Sequence, residues 1–453
     1  MPGAKLTAMK NTTPDTLFPA GQDAPNKPSA AAALPPADPR LRLADRSQML
    51  MRPCFIEELL EPGHLARIVW ALVCNWNLDL FLAAIAARGE ASGRAATDPK
   101  ILITLWLYAY TQHVSNGREL DRLCITHHAY QWICGGVSLN YHTINDFRVD
   151  HDKAMDELLT QMVAALLDAE LISTARISVD GTRVRAAAGR DSFKTAPTLQ
   201  RHLEEARVHV QTLKQQAHDP AISAQRQAAL ERAARERLER VTKSMEEIQK
   251  VQQAKDAQKE KASKHQPAKA SETDPEARQM RMPGGGTAPA YNVQLAVATE
   301  GRAIVAVSVT NDGSDVHQSQ PMRQEAQGRS GCKVQSELVD GGYIGLDSVD
   351  QSAAAGTTLY APVPKPRKEG VDRYQPKKGD SQAVAEWRQR MGTPEAQAIY
   401  KLRASTVETA NGECKTYRGL TQLLVRGIVK VKCVALLSAL AYNIVHFGVR
   451  LLT

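Results

Sequence analysis

The spacing of apolar residues divides the chain into an N-terminal helical part and a later part that contains strands. Between about 47 and 172 the apolar positions recur with a helical period. One stripe is formed by Leu65, Ile68, Val69, Leu72 and Val73, and another by Ile101, Leu102, Leu105 and Tyr108. The second helix follows Thr97-Asp98-Pro99, which reads as an N-cap with a proline in the first turn. We therefore expect residues 46–172 to be all-α.

The pattern changes to strand-like alternation after residue 172. Ile177, Val179 and Val184 alternate with polar residues, and residues 291–299 and 303–310 form an alternating pair that predicts a hairpin. The order continues as a helix near 315–328, a strand leading to 340, a helix at 346–354, a strand at 357–361, a basic loop to about 392, and further helices. This order predicts an α/β fold (α+β over the whole chain), with helices packed on a mixed sheet.

An insertion of about 198–285 interrupts the strands. Apolar residues follow heptad spacing on both sides of the breaker His218-Asp219-Pro220, which predicts an antiparallel helical hairpin. The heptad positions are Leu199, Leu203, Ala206, Val210 and Leu213 before the breaker, and Leu230, Ala234, Leu238, Val241, Met245 and Ile248 after it. Residues 252–289, rich in Lys, Gln, Pro and Gly, are expected to return flexibly to the sheet. The alternative is a solvated charged helix with no partner.

Length and composition set the broad class. With 453 residues, 43% of them hydrophobic, the chain can bury a large core and should contain two or three domains. Residues 1–45 are rich in Pro and Ala, lack an apolar signal-peptide segment, and are expected to be a disordered leader. We expect this leader to be followed by the helical region at 46–172 and a second domain at 173–453.

Charge and cysteine usage narrow the class further. The net charge is +8, but the segment from Val363 onwards holds 16 Lys/Arg and 7 Asp/Glu, a surplus larger than that of the whole chain. Such a basic segment suits a polyanionic partner. Seven cysteines without a C-x-x-C pair argue against a zinc ribbon or disulfide framework and indicate buried thiols in a reducing cytosol. Residues 433–449, apolar except for Ser438, Asn443 and His446, predict a buried helix and no membrane partner.

Two Asp-Gly pairs follow apolar runs, at Asp180 in Ile177-Ser178-Val179-Asp180-Gly181 and at Asp340 in Glu337-Leu338-Val339-Asp340-Gly341. Carboxylates at strand ends, distant in the chain and close in space, are the hard oxygen ligands that pairs of Mg²⁺ ions require for phosphodiester chemistry. At Asp180 a tight hairpin loop is an open alternative, because residues 182–185 continue to alternate. At Asp340 helical residues follow, which favours a strand-to-helix junction.

A third carboxylate, Glu408, lies on a predicted helix. At about 100° per residue, Tyr400, Glu408, Asn411 and Lys415 fall within an arc of roughly 80°, with Arg403 about 60° beyond Tyr400. One face of this helix therefore carries a carboxylate flanked by two cations and a phenol. A solvated charged face is the alternative interpretation.

These residues resemble those of the insertion-sequence DDE transposases with a ribonuclease-H-like core, most closely the insertion sequence 1182 type, which is related to the insertion sequence 4/5 groups. The resemblance covers about 57–448. It is carried in the helical part by Asp98-Pro99-Lys100, Leu107-Tyr108-Ala109-Tyr110, Ser115-Asn116-Gly117-Arg118-Glu119-Leu120 and Thr143-Ile144-Asn145-Asp146-Phe147-Arg148. In the core it is carried by the two Asp-Gly motifs and by Tyr400-x2-Arg403-x4-Glu408-x6-Lys415, similar to the family's Tyr-Arg-Glu-Lys signature.

The resemblance implies that Asp180, Asp340 and Glu408 are the catalytic, metal-binding triad, holding two Mg²⁺ ions that Mn²⁺ can replace. It also implies that Tyr400, Arg403 and Lys415 contact DNA phosphates near the scissile bond. The chain departs from the family in two ways. The gap between Arg403 and Glu408 is one residue longer than the form usual in the insertion sequence 4 group, and Asn411 stands where relatives usually have an aromatic residue.

The resemblance thus implies a Mg²⁺-dependent transposase that binds the terminal inverted repeats of its element through the helical region. It would cleave a DNA strand and join it to target DNA, acting as a homodimer on DNA. The basic segment from 363 would grip the DNA backbone. Two alternatives stay open: a catalytically inactive DNA-binding relative acting as a repressor or structural factor, and a ribonuclease-H-like nuclease without strand transfer.

Overall fold

The computed structural model describes residue 47 and residues 53–89, 95–215, 223–257, 267–366 and 369–453. The expected leader at 1–45 and the breaker at 218–220 lie outside the described residues. Contacts within the chain group the residues from Cys54 to Thr453 into one unit.

The N-terminal part of this unit is helical, as the apolar spacing predicts. Its described helices are α1 (Leu65–Asn75), α2 (Asp79–Ala83), α3 (Pro99–Thr111), α4 (Gly117–Thr126), α5 (His128–Cys134), α6 (Tyr141–Val149) and α7 (Asp152–Asp168). The α3 helix begins where expected, because the Asp98 side chain accepts a hydrogen bond from the Lys100 backbone N–H at 2.9 Å. Every residue of α3 except Lys100 is buried, so this helix forms the centre of the helical part.

The second part is built on a mixed sheet. Its strands are β1 (Ser173–Arg185), β4 (Arg278–Arg281), β5 (Thr287–Glu300), β6 (Ile304–Thr310), β7 (Ser336–Leu338) and β8 (Thr358–Tyr360), while β2 (Phe193–Lys194) and β3 (Ala270–Ser271) pair separately. β5 pairs antiparallel with β1 on one side and with β4 and β6 on the other. On its other side β1 pairs in parallel with β7, and β7 pairs in parallel with β8. This mixed α/β architecture confirms the predicted fold class and is consistent with a ribonuclease-H-like DDE domain.

Helices cover the sheet and complete the core. They are α10 (Ser319–Ser330), α11 (Leu346–Ala354), α12 (Gln382–Met391), α13 (Pro394–Arg403), α14 (Thr409–Tyr417) and α15 (Ile428–Phe447). α12 occupies part of the stretch predicted as a basic loop, where Val384 and Trp387 give it a buried face. The prediction of an unbroken loop to 392 is therefore wrong, because apolar residues there pack on the core.

The C-terminal helix α15 ties the two parts together. It packs against α3, α6 and α7 on one side and β6 on the other. The Asn443 side chain donates to the Ile304 carbonyl and accepts from the Ile304 N–H, both at 2.9 Å, so it pairs backbone groups of β6. By length and composition α15 could span a membrane, but 72% of its apolar window is buried in the protein. This burial supports the interpretation of 433–449 as a core helix.

The inserted hairpin consists of α8 (Ala196–Gln215) and α9 (Ala224–Ala257), which pack on each other. The heptad positions Leu199, Leu203, Ala206 and Leu213 are buried, so the seam is used inside the hairpin. Residues 267–289 were expected to be flexible, but they contain β3, β4 and the start of β5. That prediction is wrong for the described part, because the β4–β5 ladder pairs its backbone groups.

The seven cysteines form no disulfides, in agreement with the sequence prediction. The expectation that they are buried thiols holds for Cys134, Cys414 and Cys433. It is wrong for Cys54, Cys74 and Cys332, which are exposed.

A buried ion pair fastens the strand that leads to Asp340. Arg323 of α10 donates to the Glu337 carboxylate at 2.8 Å and to the Ser352 hydroxyl at 2.9 Å. The Arg323 and Glu337 side chains are 3% and 0% exposed. Burial raises the pKa of Glu337 to about 7, although Arg323 acts to lower it. Through Arg323 and its two partners, α10, α11 and β7 are therefore connected.

We predict that Arg323→Met destabilises the protein by about 3–5 kcal/mol, because it leaves the Glu337 carboxyl buried without its partner, so that this carboxyl must either keep an unpaired charge or take up a proton. The double variant Arg323→Met/Glu337→Leu should recover most of that loss, since no charge then remains buried. Urea unfolding of the wild type and the variants measures both effects. As a control, Arg201→Met removes one partner of the exposed Arg201–Glu205 pair and should change the stability by less than about 0.5 kcal/mol. A double variant no more stable than the single variant would contradict the prediction.

Candidate active site

Asp180 lies within a continuous strand, not in a hairpin loop. β1 runs through it to Arg185, and Asp180 is opposite Leu295 of β5. The hairpin alternative at Asp180-Gly181 is therefore excluded, because residues on both sides of the pair continue the same antiparallel ladder. The 19% exposed Asp180 side chain projects from the middle of a rigid element.

Asp340 follows β7 directly, at the same level as Asp180. Ser178 of β1 pairs with Leu338 of β7 in a parallel register. Two further residues along each chain lead to Asp180 and Asp340, which brings the two aspartates to one edge of the sheet. The Asp340 side chain accepts a hydrogen bond from the Gly342 N–H at 2.7 Å and caps a short 3₁₀ turn, Gly341–Tyr343. The predicted junction after the strand is confirmed, with a 3₁₀ turn before α11 begins at Leu346.

Glu408 lies at the end of a π-helical turn, Ala404–Glu408, which joins α13 to α14. In a regular α-helix, residues five apart differ by about 140° around the axis. The wider π turn brings Arg403 and Glu408 to the same side, where Arg403 Nη1 donates to Glu408 Oε1 at 2.5 Å. The single regular helix expected over 400–415 is thus interrupted, and the turn accommodates the extra residue between Arg403 and Glu408.

The Arg403 guanidinium joins two of the three carboxylates. Besides Glu408, Arg403 contacts Asp180 through Nη2, 2.7 Å from Asp180 Oδ1. Arg403 is 8% exposed, whereas the Glu408 side chain is 50% exposed. Burial acts to lower the pKa of Arg403, but its acidic neighbours, Asp180 first, hold that pKa above its ordinary value. Arg403 is therefore a permanently charged clamp between β1 and the π turn.

Asn411, the residue that departs from the family pattern, also holds Asp180. Its Nδ2 donates to Asp180 Oδ2 at 3.0 Å, and the residue is buried. Both oxygens of Asp180 are thus engaged, one by a cation and one by a neutral amide. The amide at 411 thus gives Asp180 a neutral polar partner from α14.

Asp180 has a strongly perturbed acidity. Burial raises the pKa of its carboxyl to about 6; Arg403 and Asn411 act to lower it, and the charges of Asp340 and Asp315 act to raise it. The interaction with Asp340 follows from the two aspartates lying at one sheet edge. A carboxyl in this state gains from any added positive charge nearby, which suits a cation-binding role.

Tyr400 and Lys415, the other two signature residues, lie around the same carboxylates. Both are half-buried, on α13 and α14. Burial raises the pKa of Tyr400, and it interacts electrostatically with Arg403 and with all three carboxylates. Burial lowers the pKa of Lys415, while Asp180 acts to raise it. The structure thus brings together Asp180, Asp340, Tyr400, Arg403, Glu408 and Lys415, which sequence analysis had selected.

A polar network beneath the site was missed by the sequence analysis. Asp315 Oδ1 accepts hydrogen bonds from Asn292 at 2.6 Å and from Gln294 at 2.8 Å. The Tyr343 hydroxyl donates to Gln294, which links the turn after Asp340 to β5. A Cβ at Gly181 would lie 2.4 Å from Asp315 Oδ1, so glycine next to Asp180 is required for this close packing. The signal was the pair of polar residues at alternate positions in the otherwise apolar Tyr291-Asn292-Val293-Gln294-Leu295.

The donor chemistry of the site fits a divalent cation. Three carboxylates supply hard oxygen ligands, and the guanidinium between two of them marks a place where positive charge is stabilised. Among the described residues, however, no three His, Cys, Asp or Glu side chains are grouped closely enough to hold a metal ion as they stand. Arg403 occupies the space between Asp180 and Glu408, so these carboxylates could share an ion only after exchanging that partner.

Comparison with known families gives two matches. Residues 367–447 match the family described as Transposase DDE domain, and residues 55–150 match the family described as Transposase domain (DUF772). Both are transposase domains, and together they support a DDE transposase. The first match contains Tyr400, Arg403, Glu408 and Lys415, whereas Asp180 and Asp340 lie outside both matches. No curated protein and no solved structure matches the chain.

We predict that Arg403→Gln raises the pKa of Asp180 above about 6, because the variant removes the cation that favours the charged form. Since the folded-state pKa already exceeds the ordinary value, Asp180 favours the fold at low pH and loses that contribution as pH rises through 6. NMR titration of Asp carboxyl carbons in metal-free protein measures the pKa. Lys401→Gln on the exposed side of the same helix is the control and should leave it unchanged. A pKa that falls in Arg403→Gln would contradict the assignment of Arg403.

Proposed function

We propose that the protein is a Mg²⁺-dependent DNA transposase, in which Asp180, Asp340 and Glu408 form the catalytic triad. The observation that carries this proposal is the position of these three carboxylates around Arg403: Asp180 lies within β1, Asp340 follows β7, and Glu408 ends the π turn. The transposase matches at both ends of the chain support the same class. The substrate would be the terminal inverted repeats of the element, bound through the helical region, followed by target DNA.

Each side chain has a role in this mechanism. The triad would hold two Mg²⁺ ions, which Mn²⁺ can replace, and these ions supply charge stabilisation for the attacking and leaving oxygens of phosphodiester transfer. Asp180 and Asp340 are fixed on the sheet, while Glu408 is on the solvent side. Lys415 and Tyr400 would contact the phosphates flanking the scissile bond. Arg403 would leave its carboxylates and turn to a phosphate when DNA enters, because a polyanion offers its guanidinium an equivalent partner.

The basic segment from 363 does not offer all of its cations to DNA. It folds into α12 to α15, and several of its cations are used inside the protein. Arg388 is paired with Asp380, and Arg418, also buried, is paired with Glu413. The cations available to DNA are therefore those on the surface of this segment, not its whole surplus of charge.

The rival function is a catalytically inactive DNA-binding relative. Asn411, one of the two departures from the family pattern, could be taken as a sign of an inactive copy, but its hydrogen bond to Asp180 supports the site. A nuclease without strand transfer has the same triad and is distinguished only by the absence of joined products.

We predict that Asp340→Asn abolishes Mg²⁺-dependent nicking of a labelled duplex carrying the element's terminal repeat, while binding of that duplex is retained. The substitution keeps the shape of the side chain and the acceptor for the Gly342 N–H, but removes the charge that would hold a metal ion. Nicking is followed on a denaturing gel with Mg²⁺ or EDTA, and binding by gel shift. Asp347→Asn on the exposed surface of α11 is the matched control.

Full nicking by Asp340→Asn would overturn the triad. Binding by the wild type, with no nicking in Mg²⁺ or Mn²⁺, would favour the inactive relative. Nicked ends that never join a supplied target duplex would favour the simple nuclease.

The inserted hairpin is a candidate for the contact between the subunits of the proposed homodimer. Its apolar seam is used between α8 and α9, and Val208 and Leu230 are among its exposed apolar residues. We predict that deleting residues 199–262 changes the oligomeric state measured by light scattering, since this removes the outer faces of both helices. An unchanged oligomer would remove the hairpin from the dimer contact.

A further inference from the structure

A second group of cations lies where the helical part meets the core, around a cavity of about 500 Å³. Arg118 comes from α4 and Arg148 from α6, while Arg426 and Lys430 come from the segment that enters α15. Asp146 is the one acidic residue in the described lining. Four cations and one carboxylate give the cavity a positive potential.

These cations have no ion-pair partner among the residues that the structure describes. The Arg118 guanidinium lies over the Tyr141 ring, 5.3 Å from its centroid. The Arg426 Nε donates to the Ala187 carbonyl at 3.3 Å. Lys430 is exposed and makes no described side-chain contact. In contrast, Arg388 and Arg418 of the same basic segment form ion pairs with carboxylates.

Arg148 is the strongest indication that a ligand belongs here. It is 4% exposed and lines the cavity, and its Nε has no hydrogen-bond partner among the described residues. Its other nitrogens donate to neutral groups, the Ser115 carbonyl at 2.6 Å and the Asn145 side chain at 3.2 Å, and its charge also acts on the buried Tyr110 hydroxyl. Its guanidinium also lies 4.4 Å from the Trp106 ring centroid. A buried cation without a counter-ion is costly, and an anion in the cavity would offset that cost.

The backbone beside this cavity also favours the binding of an anion. A Cβ at Gly117 would lie 2.3 Å from the Asn145 Oδ1, so glycine lets α4 begin directly beside Asn145. The Asn116 side chain caps α4 by accepting from the Arg118 N–H at 2.9 Å. The N-terminus of α4 therefore lies beside the cations, where its dipole favours an anion.

The cavity also has a fixed relation to the triad. β1 passes from Asp180 to Arg185, about 17 Å at the usual rise per residue, and residues 421–423 run beside its end. There the Leu423 N–H donates to the Arg185 carbonyl at 2.8 Å. The lining residues Leu424, Val425 and Arg426 follow at once. The cavity thus lies within one turn of a DNA duplex, about 34 Å, from the carboxylates.

We propose that this cavity binds a backbone phosphate of a DNA duplex while another part of the same duplex lies at the triad. This inference rests on the proposed function. The phosphate would pair with Arg118, Arg148, Arg426 and Lys430, joining the helical part and the core to one DNA backbone. Because a phosphate contact reads no bases, the binding is independent of sequence.

The test uses the full-length protein and a fluorescein-labelled duplex of arbitrary sequence, with binding measured by fluorescence anisotropy between 50 and 200 mM NaCl, the range in which phosphate contacts are most evident. In the triple variant Arg118→Gln/Arg426→Gln/Lys430→Gln, the slope of log K against log salt should fall in magnitude by about 0.9, since the cavity neutralises one phosphate. Lys430→Gln alone should lower the slope by a smaller amount and is a milder change if the triple variant folds poorly. Lys153→Gln, an exposed cation of α7 outside the cavity, is the matched control.

Variants with the slope of the wild type and of Lys153→Gln would overturn the inference. If the wild type itself binds no DNA, the proposed function fails first, so the two failures are distinguishable. A free-phosphate site is tested by the thermal midpoint in sodium phosphate against NaCl of equal ionic strength. Stabilisation by inorganic phosphate that the triple variant loses, together with an unchanged DNA slope, would assign the cavity to a free anion and also overturn the inference.

Discussion

The parallel pairing of β1 with β7 is the constraint on which the candidate site depends. Its register sets Asp180 and Asp340 side by side, although 159 residues separate them in the chain. A shift of one residue would turn either aspartate to the opposite face of the sheet. The buried Arg323–Glu337 pair holds the short β7 in that register, and the network around Asp315 packs against Gly181 from beneath. Two groups of buried polar side chains thus support the positions of Asp180 and Asp340.

Electrostatics then explains how these carboxyls coexist in one folded chain. Asp180 is buried beside other acids, which by itself would favour a protonated, inert carboxyl. Arg403 and Asn411 each engage one of its oxygens and preserve much of its negative character. The arrangement therefore keeps a carboxylate at this position of the sheet. The same guanidinium holds Glu408, so one residue links the sheet to the more exposed carboxylate.

The sequence predicted much of this structure because periodicity reports directly on burial. The helical part, the β5–β6 hairpin, the bounds of α11 and the internal seam of the α8–α9 hairpin all follow from apolar spacing. Features that depend on tertiary contacts were harder to predict from the sequence. Whether Asp180-Gly181 formed a turn depended on the β5 ladder beside it, which local alternation does not encode. The strands in 267–289 and the helix α12 were hidden by Gly, Pro and Lys, because pairing and a few apolar contacts outweighed local propensity.

The candidate site residues were proposed from their chemistry and from the resemblance, whereas their hydrogen-bonding partners were not predicted. Asn411 was noticed only as a departure from a pattern, and its role required knowing that α14 faces β1. Asp315 gave no signal of its own, since a polar loop residue after a strand is ordinary. The four cations around the cavity, which have no ion-pair partner among the described residues, are scattered over more than 300 residues of sequence, and the fold brings them together.

The π turn at Ala404–Glu408 has a mechanical consequence. Its hydrogen-bonding pattern differs from that of the α-helices on either side. Conversion of this turn to α geometry would rotate Glu408 relative to Arg403 and would also turn α14, with its buried Asn411, relative to α13. Opening the Arg403–Glu408 ion pair by this route would therefore also move Asn411 away from Asp180, whereas the sheet carrying the two aspartates does not have to move. The protein in this way combines a stiff half-site with a compliant one.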